Sequence, residues 1–299
     1  MEGKSGKKTN GAMTKALLAV FMWGTMSTST KLLMNQMDAM FALSFSCLFA
    51  TAVLLLVAAF RGKLPTLRHL SGKDAGKMIL IGSLGVFFYN ACYLIGTKTL
   101  PAQTAFIIND LWPALIIVFS GLLLGEKITF GKAAAVLLSF LGIIVVVTNG
   151  DFKNFRLADL KGVVCCLGAA ITYSLYSVLN KKAAYDKELG VLLSYASGTV
   201  AAFLCSALLK TMRVPSLREL AGIAYNGVFC NALPYFLWAL AMENGRTAVI
   251  ANLGYLAPVV SLFVTHFVLG EEITLFSVLG VGLILLGIAI QILADRKNT

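Results

Sequence analysis

What this chain has least of is charge. Asp, Glu, Lys and Arg make up 13% of its 299 residues, about half of what a soluble domain uses to cover its surface. Hydrophobic residues make up 58%, and the mean hydropathy is +0.83. A water-covered globule is excluded, and lipid has to cover most of the outside of a polytopic membrane protein. Histidine is nearly absent: His69 sits in a basic loop and His266 near the end of an apolar run. That excludes an H-E-x-x-H metal site, and neither metal nor cofactor is expected. Cysteine is sparse as well. Cys47, Cys92, Cys165, Cys166, Cys205 and Cys230 all fall inside apolar runs, without zinc-ligand spacing and away from the loops a disulfide framework would use, so they read as small packing residues.

Positive charge is what remains, with a net +11. The basic residues lie in short loops between apolar runs, where topology signals and an anionic membrane surface require them, so no nucleic-acid partner is expected. The N-terminal "MEGKSGKKTNGAMTK" leads into an apolar segment that no small-residue cleavage site ends, which reads as an uncleaved first span. Apolar runs of about 20 residues fall at 14–33, 38–60, 76–97, 102–124, 131–148, 160–180, 189–210, 219–242, 246–269 and 275–293. The expectation is ten transmembrane helices in an all-α integral membrane fold. With the N-terminus inside, Arg61, Lys63, Arg68, Lys73 and Lys77 form one strongly basic inner loop. The inner side then carries about twice the Lys and Arg of the outer side, which favours N-in and C-in in the cell (inner or plasma) membrane.

The chain also repeats itself. "WPALIIVFSGLLLGEKIT" (112–129) lies over "APVVSLFVTHFVLGEEIT" (257–274) in one constant register. Pro113 falls on Pro258, Gly125-Glu126 on Gly270-Glu271, Gly142-Ile143 on Gly287-Ile288 and Gly82 on Gly227. Residues 1–150 and 151–299 thus read as two five-helix repeats. An odd number of helices per repeat makes the second copy enter the membrane from the opposite side, the inverted repeat of alternating-access carriers. Both "TLPAQTAFIINDLWPALIIVFSGLLLGEKIT" (99–129) and "MENGRTAVIANLGYLAPVVSLFVTHFVLGEEIT" (242–274) resemble the pattern of the EamA family of the drug/metabolite transporter superfamily. The resemblance implies a ten-helix inner-membrane carrier, in many members an exporter of amino acids or other metabolites. "IND" at 108–110 departs from the pattern, which has apolar or small residues there.

That departure matters because, of the 14 acidic residues, Asp110 alone lies deep in a span. At 1.5 Å per residue it sits about 12 Å into the bilayer, where an ionised carboxylate costs roughly 2.5–3.5 kcal/mol. It must be paired, protonated or wet, and it could exchange a proton for substrate or hold an ammonium group. Tyr89 and Asn90 in the third span lie at about the same depth, and Gln103 shares a face with Asp110. The second repeat places Asn231, Tyr235 and Trp238 in the eighth span and Asn252 and Tyr255 in the ninth. "TMSTST" (25–30) beside Trp23 and "TYSLYS" (172–177), with Tyr173, form a similar pair in the first and sixth spans. The candidate substrate-binding set is therefore Trp23, Tyr89, Asn90, Asp110, Tyr173, Asn231, Tyr235, Trp238, Asn252 and Tyr255, with Asp110 as the coupling group. Bland roles compete: Ser and Thr bond their own helix, Asn glues helices together, and Tyr and Trp anchor at interfaces. Glu126 and Glu271 read as span-end caps, and Pro113 and Pro258 as kinks.

The aromatic content suits a small amphipathic solute, an amino acid or similar metabolite, and no Arg or Lys cluster inside the spans speaks for phosphates. The alternative is export of cationic or aromatic drugs or amines, with Asp110 as the cation's partner. One deep acid and two peripheral histidines do not make an intramembrane enzyme, and no ring of charges marks a channel. The expected partners are the small-molecule substrate and the lipid bilayer, for a monomer or homodimer.

Overall fold

A computed structural model describes residues 2–125, 129–148, 157–245, 250, 253–254 and 256–297. Among these residues the chain is helical and has no strand. The first half runs α1 (Glu2–Gly24), α2 (Met26–Met34), α3 (Ala39–Phe60), α4 (Leu64–Arg68), α5 (Gly72–Gly82), α6 (Tyr89–Thr99), α7 (Ala102–Asn109), α8 (Trp112–Leu124) and α9 (Phe130–Thr148). The second half runs α10 (Leu157–Lys182), α11 (Lys187–Leu208), α12 (Leu217–Tyr225), α13 (Leu233–Asn244), α14 (Ala257–Leu269) and α15 (Leu275–Lys297). Wider π-helical turns, Ser83–Phe88 and Asn226–Ala232, join α5 to α6 and α12 to α13 without a break.

Among the described residues, 6 stretches are long and apolar enough to cross a membrane: Ala39–Phe60, Gly72–Thr99, Ala102–Leu124, Leu160–Lys182, Lys187–Leu208 and Leu217–Asn244. Val136–Val146, Ala257–Leu269 and Leu275–Gly287 are shorter apolar helices. The first expected span, 14–33, is divided at Thr25 between α1 and α2. Leu122, Phe130, Leu204, Leu208 and Phe267 stand exposed on the outside, as a surface solvated by lipid requires.

Loop chemistry fixes where the helices start. Asp38, Ser71 and Asp186 accept hydrogen bonds from the first N–H groups of α3, α5 and α11, and Ser216 with Glu219 forms a capping box on α12. Pro113 supplies no N–H to the carbonyl four residues back, and the fourth span parts at Asp110–Leu111. Gly125 at the end of α8 and Gly270 at the end of α14 adopt the left-handed conformation, at φ 70° and 69°.

Elements of the two halves pack on each other rather than forming separate lobes. α3 lies along α11, α6 along α10, α1 along α13, and α9 along α15. In the last pair Gly142 and Gly280 meet backbone to backbone. A Cβ on Gly142 would come within 2.5 Å of Gly280 O, so only glycine permits the approach. Exchanging the halves maps these pairings onto one another: α1 on α13 becomes α10 on α6.

An aromatic-floored cavity as candidate functional site

Trp23 is buried among aromatic rings of both halves. Its ring meets Trp112 at 5.9 Å, Tyr173 at 6.0 Å, Tyr235 at 5.9 Å and Trp238 at 5.2 Å between centroids, mostly edge to face. Trp112 in turn touches Tyr173 and Trp238, and Tyr89 packs on Tyr173. The edge-to-face geometry places positive ring edges on negative faces and holds each ring in a single orientation. Five helices (α1, α6, α8, α10 and α13) contribute to this box, so it exists only when both halves are assembled.

On one side of the box opens a cavity of about 320 Å³, lined by Tyr173, Tyr176, Ser177, Tyr235 and Trp238, with buried Lys187 in its wall and Lys181 and exposed Glu243 at its rim. Tyr173, Tyr176, Ser177 and Asn180 recur at helical spacing on one face of α10. Lys187 is buried, and its ammonium donates to the carbonyls of Asn180 and Ala183 and lies over the Tyr185 ring. Tyr185 Oη donates to Asn180 Oδ1 at 2.8 Å. Tyr235 is fixed in the floor by donating its hydroxyl to Gly85 O at 2.8 Å.

On the other side lies a void of about 10 Å³ bounded by Trp23, Met26, Tyr89, Phe106, Asn109, Asp110, Trp112, Tyr173 and Ala257. That is space for about one water molecule. Asp110 is 1% exposed. Trp112 Nε1 donates to its Oδ1 at 3.2 Å, while Oδ2 has no protein partner. Asn109 Nδ2 donates to Tyr89 Oη at 3.3 Å and leaves its own Oδ1 unpartnered.

Beyond the void the ends of the helices are tied together. Lys31 Nζ donates to Thr97 O at 3.0 Å and to Leu100 O at 2.6 Å. Glu271 reaches the N-terminus of α7, accepting from the N–H of Ala102 at 2.8 Å and of Gln103 at 3.0 Å. His266 Nδ1 lies 3.0 Å from Glu271 O. The carboxylate thereby satisfies two of the orphan N–H groups of α7 and meets the positive end of its dipole. At the opposite end of the molecule Arg61 pairs with Glu188 at 2.7 Å and Lys63 with Asp186, joining the loop after α3 to the start of α11. Burial pushes the Asp186 carboxyl up, but the Lys63 ammonium and the N–H groups it caps prevail and hold it below the usual carboxylate range. The hydrogen bond to Asp186 holds Lys63 above its ordinary value.

The structure thus gathers Trp23, Tyr89, Asp110, Tyr173, Tyr235 and Trp238 at one place. It sets Asn90 and Asn231 apart. Asn90 Nδ2 donates to Val86 O at 2.8 Å, while Asn231 accepts from Tyr195 Oη at 3.1 Å and donates to Asn226. Asn252, Tyr255 and Glu126 lie outside the described residues. Much of the "TMSTST" tract is helix glue: Ser27 bonds Ser261, and Asn226 Nδ2 donates to Ser29 and Thr30. Trp112 and Lys187 line these cavities without having been singled out in the sequence, and Tyr176 joins Tyr173 from the "TYSLYS" tract. The i, i+3, i+4, i+7 spacing of Tyr173, Tyr176, Ser177 and Asn180 was the available signal for α10, whereas Lys187 carries none.

Comparison with known proteins accords with this architecture. Residues 11–148 and 160–293 each match the EamA-like transporter family, and the chain belongs to that family. It is 26% identical over 287 residues to an uncharacterized transporter of Archaeoglobus fulgidus, covering 92% of this chain and 96% of that one. It is 25% identical over 250 residues to the uncharacterized transporter YyaM of Bacillus subtilis, covering 80% and 79%. To the aromatic amino acid exporter YddG of Ancylobacter novellus it is 27% identical over 180 residues, 59% of this chain and 62% of that one. A solved crystal structure shares the fold with a TM-score of 0.77, at 21% identity, over 97% of this chain and 100% of that chain. The protein is a membrane transporter, not an enzyme, and its substrate is a small molecule.

Proposed function

We propose that the chain is a ten-span carrier of two inverted repeats, 1–150 and 151–299, with both termini inside the cell membrane, exporting small amphipathic metabolites of the amino-acid type by alternating access. The carrying observation is the asymmetry around the aromatic box. On the side of Lys181, Lys187 and Glu243, the inner side by charge, a cavity of about 320 Å³ reaches the box. On the side of Lys31 and Glu271, the helix ends are bonded together, and the cavity of about 410 Å³ between α2, α12 and α14 is not lined by the rings of the box. That is the arrangement of a carrier waiting to load from inside. The likeness to an aromatic amino acid exporter and the rings of the floor favour a solute with an aromatic body.

Asp110 couples transport to a proton or receives a cationic group. The exporter of cationic aromatic amines remains a second reading, favoured by the unpartnered Asp110 Oδ2 beside Trp23 and Trp112, where a cation meets both a carboxylate and aromatic rings. The test is uptake of labelled aromatic amino acids into proteoliposomes containing the purified chain, together with the Trp238→Ala variant. Accumulation that this variant reduces at least about tenfold is expected. Equal uptake by both, or none above empty vesicles for any aromatic amino acid or amine, contradicts the reading.

A further inference from the structure

The groove of about 410 Å³ between α2, α12 and α14 has no part in the transport reading. Leu32 and Leu33 of α2, Gly222 and Tyr225 of α12, and Val264 and Val268 of α14 form its walls. Leu32, Tyr225 and Val268 are 41%, 41% and 58% exposed, so the groove opens on the surface that lipid covers. The hydroxyls along it are engaged or buried. Tyr225 Oη donates to Thr25 Oγ1 at 2.8 Å, Asn226 Nδ2 donates to Ser29 at 3.2 Å, and the Thr28 hydroxyl is buried. What the walls offer is therefore dispersion contact to an apolar chain. Gly222 keeps the space open: a Cβ there would stand 3.2 Å from Leu33 Cδ2, and a longer side chain would fill the gap.

Arg218 stands at the end of the groove, exposed and in the first turn of α12. It is the second residue of the membrane-crossing stretch Leu217–Asn244, which places its guanidinium at the level of the lipid headgroups. Glu219 lies beside it but is occupied elsewhere, accepting from Arg213 Nη1 and from the Ser216 N–H, each at 2.8 Å. Among the described residues no acid pairs with Arg218. From Arg218 to Tyr225 the groove descends about 10 Å along the helix, against about 15 Å for the hydrocarbon of one leaflet.

We propose that this groove holds one anionic phospholipid of the leaflet on the side of Lys31 and Glu271. Its phosphate sits on Arg218, and one acyl chain runs between α2, α12 and α14. A guanidinium engages two phosphate oxygens at once, which an ammonium cannot match. Lys210 and Arg213 precede Arg218 in the same loop, so three cations against Glu219 favour a headgroup with net negative charge. The groove and the inner cavity have no lining residue in common, so its occupancy is separable from transport.

The experiment is native mass spectrometry of the purified full chain, released from micelles holding equal amounts of phosphatidylglycerol and phosphatidylethanolamine. Arg218→Gln, Arg218→Lys and Gly222→Leu are measured beside the parent. The parent is expected to retain one phosphatidylglycerol, about fivefold in excess of phosphatidylethanolamine. Arg218→Gln is expected to lose that preference with its thermal midpoint unchanged, and Arg218→Lys to keep part of it. Gly222→Leu is expected to lower retention of both lipids about fivefold by filling the groove. Equal retention of the two lipids by the parent overturns the proposal, and so does parent-like retention by Arg218→Gln or by Gly222→Leu. A dimer in place of the lipid adduct assigns the groove to a second copy and overturns it equally, as does the absence of any retained lipid.

Discussion

At the scale of single residues, Asp110 carries the most consequence. Its depth and its singularity were legible in the sequence, because one carboxylate among apolar neighbours is costly enough to need a reason. Its partner was not legible. Trp112 is only two positions away, but the indole reaches Oδ1 because the helix breaks at Asp110–Leu111, and a continuous helix would turn these side chains to different faces. Asn in place of Asp keeps an oxygen for the indole and removes the charge. Asp110→Asn is therefore expected to fold normally and to flatten the pH dependence of transport in proteoliposomes; an unchanged profile removes the coupling role. Asp186 makes a second prediction. Its folded-state pKa is depressed, so its contribution to stability is full above the ordinary carboxylate range and disappears as the pH falls through the lowered value. The side chains of the pair are 32% and 27% exposed, so solvent screens it. Asp186→Asn is expected to cost about 0.5–1 kcal/mol at neutral pH, with the difference closing in acid. Thermal unfolding across pH reads this, and a gap independent of pH contradicts it.

At the scale of elements, hydropathy located the 6 long apolar stretches among the described residues. Pro113 marked the break in the fourth span, and the register of Pro113 on Pro258 reappears in α8 and α14, which end on left-handed Gly125 and Gly270. The π-helical turns at Ser83–Phe88 and Asn226–Ala232 had no such marker. An inserted residue in a helix changes no composition, and it is held there by what packs against it. Glu271 is the clearest case of a partial reading. A glutamate after a span-ending glycine reads as a cap, but the helix it caps is α7, 169 residues away in the sequence. A carboxylate on two helix-terminal N–H groups holds that end closed, and the neutral amide keeps only part of the attraction. Glu271→Gln is expected to raise the population open on that side by about tenfold. Spin labels on Lys98→Cys and Leu275→Cys would then show a second, longer distance; an unchanged distance distribution removes the latch.

At the scale of the whole molecule, the account depends on the two halves being one unit inserted in opposite senses. The repeat was readable because Pro113 and Pro258, and the left-handed Gly125 and Gly270, each serve a backbone purpose that substitution destroys. The aromatic box was readable only in part, since Trp23, Tyr173 and Trp238 come together by packing of spans from both halves and no local pattern announces that. Pairing of α1 with α13 and of α6 with α10 exchanges when the two halves are exchanged, and the sense of insertion proposed for them is a separate question that labelling decides. Phe130 and Leu275, which follow Gly125 and Gly270 at the same distance in each half, are 90% and 68% exposed. The most direct measurement is labelling of Phe130→Cys and Leu275→Cys by a membrane-impermeant maleimide in intact cells. The account predicts that Leu275→Cys reacts from outside and Phe130→Cys only after permeabilisation; reaction of both from the same side would contradict it.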